Sequence, residues 1–353
     1  MGSWRKILYP FSLFYGVGVW VRNLLYDTNV LKSYYFRKPV IVVGNLSVGG
    51  TGKTPHVEYI SELLIKNHFK VAVLSRGYGR ITTVFRYVNE NSTPKEVGDE
   101  PLQIKRKFPE AIVAVDIDRV HGIEKIMKEH PEVDVFVLDD AFQHRRVRGS
   151  LNILLTDYSK LYKQDLLLPA GNLREWPSAA NRADMVIVTK IPVVLSPIDE
   201  KRIKNELNFP KDIYFSRIDH IGPFPFNKSA EELIKSDLSG YTAILLTGIA
   251  NPENYFYFLK NIFRYVIHFE FSDHHLFKES DLKKVIKKFN DHYSPKKVIV
   301  TTEKDTMRLN DPELKKILNR YPVIYYSTKT VFPENYHQKF DQQILQHVKN
   351  FRN

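Results

Sequence analysis

Cysteine is absent from the 353-residue chain. That excludes a disulfide framework and thiolate metal sites, and it fits a reducing compartment. Negative charge is in short supply: 40 Asp and Glu stand against 52 Lys and Arg, a net charge of +12. Such an excess predicts attraction to nucleic acid, an anionic membrane surface or a phosphorylated substrate, without choosing among them. No nucleic-acid-binding motif accompanies the charge, so the first of these has the least support. Internal repeats and low-complexity tracts are missing as well. A membrane-spanning helix needs about 20 apolar residues; the uncharged stretch 7–21 is shorter and contains Pro10. No small-residue cleavage site follows it, which argues against a signal peptide. Its aromatics, Tyr9, Phe11, Phe14, Tyr15 and Trp20, are flanked by Trp4, Arg5 and Lys6 before and by Arg22, Lys32, Arg37 and Lys38 after. That mixture suits a segment lying in the lipid headgroup layer. A helix packed on its own domain is the alternative.

What is present is the composition of a soluble globular protein, 43% hydrophobic and 26% charged, long enough for two domains. The chain is organised around PVIVVGNLSVGGTGKTPH, residues 39–56. The aliphatic run 40–43 predicts a strand buried on both faces. The loop after it holds Ser47, Val48, Gly49, Gly50, Thr51 and Gly52, then Lys53 and Thr54, with Pro55 at a helix start. Successive backbone N–H groups at a helix N-terminus favour phosphate oxygens. The lysine reaches the β- and γ-phosphates, and the threonine hydroxyl can ligate Mg²⁺. The general P-loop pattern has glycine where this chain has Ser47.

Further strands are expected at 71–74, 111–115, 133–138, 151–155 and 185–188. Ligands of an open parallel sheet sit beyond the carboxyl ends of its strands. Arg76, at the end of the second strand, is placed to meet phosphate there, or is a plain surface arginine. Asp99 and Glu100 lie in VGDEP, which reads as a tight loop before a helix. The strand ending in Asp139 and Asp140 has the form of a Walker B element, whose carboxylate must stand beside the P-loop to hold Mg²⁺. Gln143 and His144 follow, and LPAGNLRE (168–175) puts Arg174 beside Glu175. Thr189-Lys190-Ile191-Pro192 starts like a guanine-reading motif but has proline in place of the aspartate, which favours ATP over GTP. Residues 192–228 hold five prolines and loosen the pattern, as a connector would. A second αβ series follows, with strands at 242–247, 265–271, 298–302 and 323–326. Asp273-His274-His275 admits a metal site, a dyad or ordinary surface chemistry. Adjacent histidines in a strand point to opposite faces, so both binding one metal is disfavoured, while a nearby aspartate can orient an imidazole.

Taken together, GNLSVGGTGKTP, LSRGYG, VGDEP, DDAFQHR, LPAGNLRE, TGIANP, FSDHH and VTTEKD, in this order from residue 44 to 305, resemble the tetraacyldisaccharide 4′-kinases, the lipid A kinases of Gram-negative bacteria. Ser47 is normal for that family; Ala141 and the NLREW run depart from its commoner glycine and PLREP. The resemblance implies an α/β fold: a P-loop NTPase-type parallel-sheet domain joined to a second, smaller α/β domain, with an N-terminal membrane-associating helix. Expected boundaries are 1–36 for that helix, 37–195 for the kinase domain, 196–228 for the connector and 229–353 for the C-terminal domain. It implies transfer of the ATP γ-phosphate to the 4′-hydroxyl of tetraacyldisaccharide 1-phosphate at the cytoplasmic face of the inner membrane. By resemblance Asp99 is the base, assisted by His274, with Lys53, Asp139 and Asp140 also catalytic. Residues 47–54 would hold ATP, and Thr54, Glu100 and Asp139 would organise Mg²⁺. Arg76, Arg119, Gln143, His144, Arg174 and Glu175 would line the acceptor side, and Lys304 and Asp305 have no assigned role. The expected partners are the lipid substrate and the membrane surface, with no nucleic acid and no obligate protein partner. A kinase or ligase of a soluble metabolite, and a membrane-recruited ATPase switch, are the rival readings.

Overall fold

The computed structural model describes residues 3–351, apart from the side chains of Ser3, Trp4 and Lys6, which lie outside those described. Its strands are β1 (Val40–Asn45), β2 (Val71–Ser75), β3 (Arg86–Tyr87), β4 (Ile112–Val115), β5 (Val135–Asp139), β6 (Leu151–Asp157), β7 (Met185–Thr189), β8 (Asp212–Phe215), β9 (Arg217–Pro225), β10 (Thr242–Thr247), β11 (Tyr265–Glu270), β12 (Lys297–Thr302) and β13 (Val323–Val331). The helices are α1 (Tyr9–Asp27), α2 (Lys53–Lys66), α3 (Pro94–Val97), α4 (Asp99–Lys107), α5 (Arg119–Glu129), α6 (Pro197–Leu207), α7 (Glu253–Lys260), α8 (Glu279–Asp291), α9 (Glu303–Leu309), α10 (Pro312–Leu318) and α11 (Glu334–Phe351).

The first eight strands form one sheet, in the order β3-β4-β2-β5-β1-β6-β7-β8. All its pairings are parallel except β3 with β4. Parallel strands covered on both faces need continuous aliphatic runs, and β1 and β5 are buried along their whole length. Alternate residues serve opposite cores. Ile41 and Val43 pack with Ile60 and Leu64 of α2, whereas Val40 and Val42 pack with Ile123 and Ile126 of α5. Beside the P-loop strand lies β5, with Val43 paired to Asp139. The two motifs therefore leave the sheet side by side at its carboxyl edge.

The remaining strands form a second sheet, β11-β10-β12-β13-β9, parallel except where β9 runs against β13. The long β9–β13 ribbon joins it to the first sheet: β8 ends at Phe215 and β9 begins at Arg217. Three expectations change here. Residues 196–228, expected as a loose connector, hold α6, the edge strand β8 of the first sheet and the ribbon strand β9. The prolines mislead because Pro197 occupies the first turn of α6, after the Ser196 cap, and Pro225 ends β9. The C-terminal helix α11 leaves the second sheet and returns to the first, where Phe340, Ile344 and Val348 join the core of β1 and α2. Finally, Asp99 and Glu100 are the first turn of α4, with Gly98 at φ 91° as its N-cap, rather than a loop before it. Acidic side chains suit that end of a helix dipole.

Candidate functional site

The loop between β1 and α2 is held from two sides. On one, Val48 N–H donates to the Asn172 carbonyl at 2.8 Å and Arg174 N–H to the Leu46 carbonyl at 2.7 Å, with an antiparallel bridge between Ser47 and Leu173. On the other, Thr189 Oγ1 donates to the Thr51 carbonyl at 2.9 Å. Lys190 Nζ donates to the Gly50 carbonyl and pairs with Asp157 at 2.7 Å. Inside the turn Asn45 Nδ2 donates to Thr51 Oγ1 at 2.8 Å, and Lys53 Nζ lies 3.4 Å from Asn45 Oδ1. Gly52 has φ 85°, and a Cβ there would stand 2.6 Å from Ile218 Cδ1 of β9. The left-handed conformation is what demands glycine. Val48, Gly49 and Gly50 stay exposed, leaving the turn open to a ligand.

Around this turn the Asp139–Asp140 step supplies the acids. Asp139 is buried, and its Oδ1 has no hydrogen-bond partner. Burial, then the charges of Asp140 and Glu100, push its pKa up from 3.8 to about 7, with Lys53 and Arg119 opposing. An orphaned buried carboxylate oxygen beside a phosphate loop fits a divalent cation. Among the described residues no three His, Asp or Glu form a ready-made cage; a cation there would share its shell with phosphate oxygens and water. Asp140 takes a left-handed φ of 48°. It accepts from Arg174 Nη1 at 3.0 and 3.2 Å and lies 3.8 Å from Lys53 Nζ.

Arg119 is 3% exposed. Its Nη1 donates to the Ile117 carbonyl at 3.1 Å and its Nε has no partner. Burial, followed by Arg76, lowers its pKa to about 10, so it stays charged at neutral pH with a donor to spare. Arg76 itself is exposed. His144 is held neutral, its pKa lowered to about 4 by burial and then by Arg119. Two expected acceptor-side residues are turned to other work. Gln143 Nε2 donates to the Asn45 carbonyl at 2.8 Å, a strut behind the loop. Glu175, 1% exposed, pairs with Arg182 at 2.8 Å and accepts from Asn23 Nδ2 of α1 at 2.9 Å. Arg174 and Glu175 lie in bends after the Leu173 bridge and take different partners, Asp140 and Arg182.

The second sheet brings its motifs onto α4. His274 Nδ1 lies 2.9 Å from Asp99 Oδ2, and Asp99 is 4% exposed. His274 and His275 sit in a turn and loop after β11, not in a strand, yet they still part: His275 Nε2 faces Asp281 at 2.9 Å. His274 has φ 56°, and its N–H donates to the Gly248 carbonyl at 3.1 Å. Lys304 Nζ lies 3.2 Å from His274 Nε2 and 2.7 Å from Glu100 Oε1. An ammonium can only donate, so Nε2 accepts and the ring proton sits on Nδ1, donating to Asp99. Arg308 Nε stands 3.5 Å from Asp99 Oδ2. It is aimed by the buried Asp305, which accepts from Arg308 Nη2 and from Thr302 Oγ1, each at 2.6 Å. Lys304 and Asp305 thus orient the groups around Asp99 and Glu100. Sequence reading missed Asn45, Lys190 and Arg308; the last falls four residues after Lys304, on one helix face, which is the signal that could have found it.

A phosphate loop, an aspartate ending the adjacent strand and a buried carboxylate–imidazole pair define a P-loop phosphotransferase site. Comparison with known proteins narrows the class. The family model for tetraacyldisaccharide-1-P 4′-kinase (LpxK) matches residues 4–349. The tetraacyldisaccharide 4′-kinase of Parabacteroides distasonis is 44% identical over 357 residues, covering 98% of this chain and 95% of the relative. That of Flavobacterium johnsoniae is 43% identical over 353 residues, covering 99% and 98%. A crystal structure of LpxK from Aquifex aeolicus in complex with ATP has a TM-score of 0.73 at 27% identity, over 98% of this chain and 99% of that one. The chain belongs to the tetraacyldisaccharide-1-P 4′-kinase family.

The raised pKa of Asp139 carries a stability consequence. Its folded-state pKa lies above the unfolded one, so its contribution is fully present below about pH 4 and lost as pH rises through about 7. Without Mg²⁺, Asp139→Asn is expected to raise Tm most at pH 8, less at pH 5 and little below about pH 4. Mg²⁺ is expected to stabilise the wild type at pH 8 more than the variant. Thermal unfolding checks both, and an equal shift at the two pH values would contradict the burial argument.

Proposed function

We propose that the chain transfers the γ-phosphoryl group of ATP to the 4′-hydroxyl of tetraacyldisaccharide 1-phosphate, giving a lipid A precursor phosphorylated at both ends. The observation that carries this reading is Asp99, buried and held at 2.9 Å by His274 of the second sheet, on a helix whose next residue is within electrostatic reach of Asp139. A sugar hydroxyl has a high pKa, so a base must take its proton as the new P–O bond forms. Asp99 takes that proton, the hydroxyl oxygen bonds to the γ-phosphorus, and the bridging oxygen leaves with ADP. His274, donating from Nδ1, orients the carboxylate. Lys53 and the loop N–H groups of residues 49–54 hold the phosphates. Thr54 and Asp139, with Glu100 nearby, would hold Mg²⁺, which supplies charge neutralisation. Arg119, a buried cation with an unspent donor, and the exposed Arg76 suit the anionic acceptor and the transferring group.

The acceptor's acyl chains call for a membrane surface, and α1 offers one. Phe11, Phe14, Val17, Trp20 and Val21 are exposed, while Ser12 and Gly16 on the other side are buried. No helix among the described residues is long and apolar enough to cross a membrane. An exposed apolar face of this size suits a helix lying in the headgroup layer, at the cytoplasmic face of the inner membrane. The helix α1 also grips the LPAGNLRE loop. Ser12 Oγ accepts from the Ala170 N–H at 3.0 Å and donates to the carbonyl of Leu167, just before the loop, at 3.0 Å. The exposed Tyr15 donates from its OH to the Arg174 carbonyl at 2.9 Å. Since that loop also holds Ser47 and Val48, the arrangement keeps the phosphate loop at a fixed height above the bilayer. In this reading the β9–β13 ribbon joins a nucleotide-binding unit to a smaller unit that delivers His274.

The direct experiment follows labelled γ-phosphate from ATP into tetraacyldisaccharide 1-phosphate in mixed micelles with Mg²⁺, counting ATP turnover with and without the lipid. Labelled lipid is expected, with lipid-dependent turnover, and Lys53→Ala is expected to lose most of it while still folding. ATP hydrolysis without lipid labelling would favour a soluble acceptor or an ATPase switch. For the membrane contact, Phe11→Ser, Phe14→Ser and Trp20→Ser together are expected to cut liposome binding. Unchanged binding would make α1 an ordinary packed helix.

A further inference from the structure

Away from the reacting groups, a second polar cluster ties together the same three helices. Glu58 of α2 is 3% exposed and lies near the middle of the P-loop helix. Lys107, the last residue of α4, donates to Glu58 Oε2 at 2.6 Å and lies 3.9 Å from Glu303 Oε2, at the start of α9. Gln103 Nε2 spans the same two acids, 2.7 Å from Glu58 Oε1 and 3.3 Å from Glu303 Oε2. Ser327 of β13 donates to Glu303 and accepts from Lys107 at 3.4 Å.

The two ends of α4 each meet complementary charges from α9. Acidic Asp99 and Glu100 meet basic Arg308 and Lys304 at one end; basic Lys107 meets acidic Glu303 at the other. Slipping or rotating α4 against α9 would set like charges together. Both helices are short, nine and seven residues, so α4 is about 13 Å long and a turn at its last residue reaches its first. Met307 of α9 packs in the core of the first sheet while Leu309 packs in that of the second, so α9 already sits between the two.

A buried ion pair is seldom more stabilising than an apolar replacement of the same shape. What it adds is direction. One ammonium shared by two carboxylates and a hydroxyl fixes the rotation of α4, and with it the place of Asp99 relative to the phosphate loop. We propose that Glu58, Gln103, Lys107 and Glu303 are positioning residues for phosphoryl transfer, registering the helix that carries Asp99 and Glu100 against both the P-loop helix and α9. The inference rests on the kinase reading above. A misplacement of the reacting groups by about 1 Å costs roughly a hundredfold in rate.

The test is a charge-neutral triple variant, Glu58→Gln, Lys107→Met and Glu303→Gln, which leaves no buried charge unpaired. Its kcat for transfer is expected to fall at least about tenfold while KM for ATP stays within about twofold. Lys107→Arg, which keeps the charge, is expected to retain most of the rate. Wild-type kcat in a folded triple variant would overturn the proposal, as would a rise in KM alone. Should the triple variant not unfold cooperatively, Gln103→Leu cuts both bridging bonds and leaves the ion pairs. A several-fold fall in kcat is then expected, and an unchanged kcat overturns the proposal. Wild-type protein that labels no lipid would refute the kinase reading instead, so the two failures are distinguishable.

Discussion

The structure depends on one buried carboxylate that its own sheet does not satisfy. Asp99 starts a helix of the P-loop body, yet its nearest polar side chains, His274 and Arg308, come from the other sheet. A desolvated carboxylate without partners would cost several kcal/mol or take up a proton. The second sheet therefore does more than enlarge the molecule: it supplies the polar partners of the carboxylate that the proposed mechanism uses as its base. Asp305, Thr302 and Gly248 in turn fix Arg308 and the His274 turn. Lys304 sets the imidazole tautomer and neutralises Glu100.

A similar division of labour holds at the phosphate loop. Its own residues fix little beyond the turn; its outer strand is borrowed from LPAGNLRE and its inner support from Thr189 and Lys190. The helix α1 grips the first of these from outside through Ser12 and Tyr15. An apolar exposed face, a loop and a phosphate site thus form one continuous rigid path. In the proposed reading, such a path would hold a sugar headgroup near the nucleotide while its acyl chains remain in the lipid.

Much of this was legible in the sequence, because buried parallel strands and phosphate loops leave strong local signals. The run 40–43, the GGTGKT turn and the strand ending in Asp139 need no tertiary information to be read. The places where reading fell short are those where long-range contacts decide. Prolines in 196–228 read as a loosened connector, but Pro197 serves a helix start and the sheet extends through β8. Glu175 shares a motif with Arg174, yet long-range contacts with Asn23 of α1 and with Arg182 take it away from the acceptor side. Nothing local says that α11 returns to the first core, since its amphipathic pattern fits either sheet. Lys304 and Asp305 gain meaning only once α9 is seen lying against α4.

The most direct test of the account measures kcat and KM for ATP of Asp99→Ala in the lipid-transfer assay. A base acts in the transition state, so the account predicts a fall in kcat of about 10²- to 10⁴-fold with KM for ATP nearly unchanged. A variant that keeps wild-type kcat and only binds ATP more weakly would make Asp99 a nucleotide-binding residue and contradict the account.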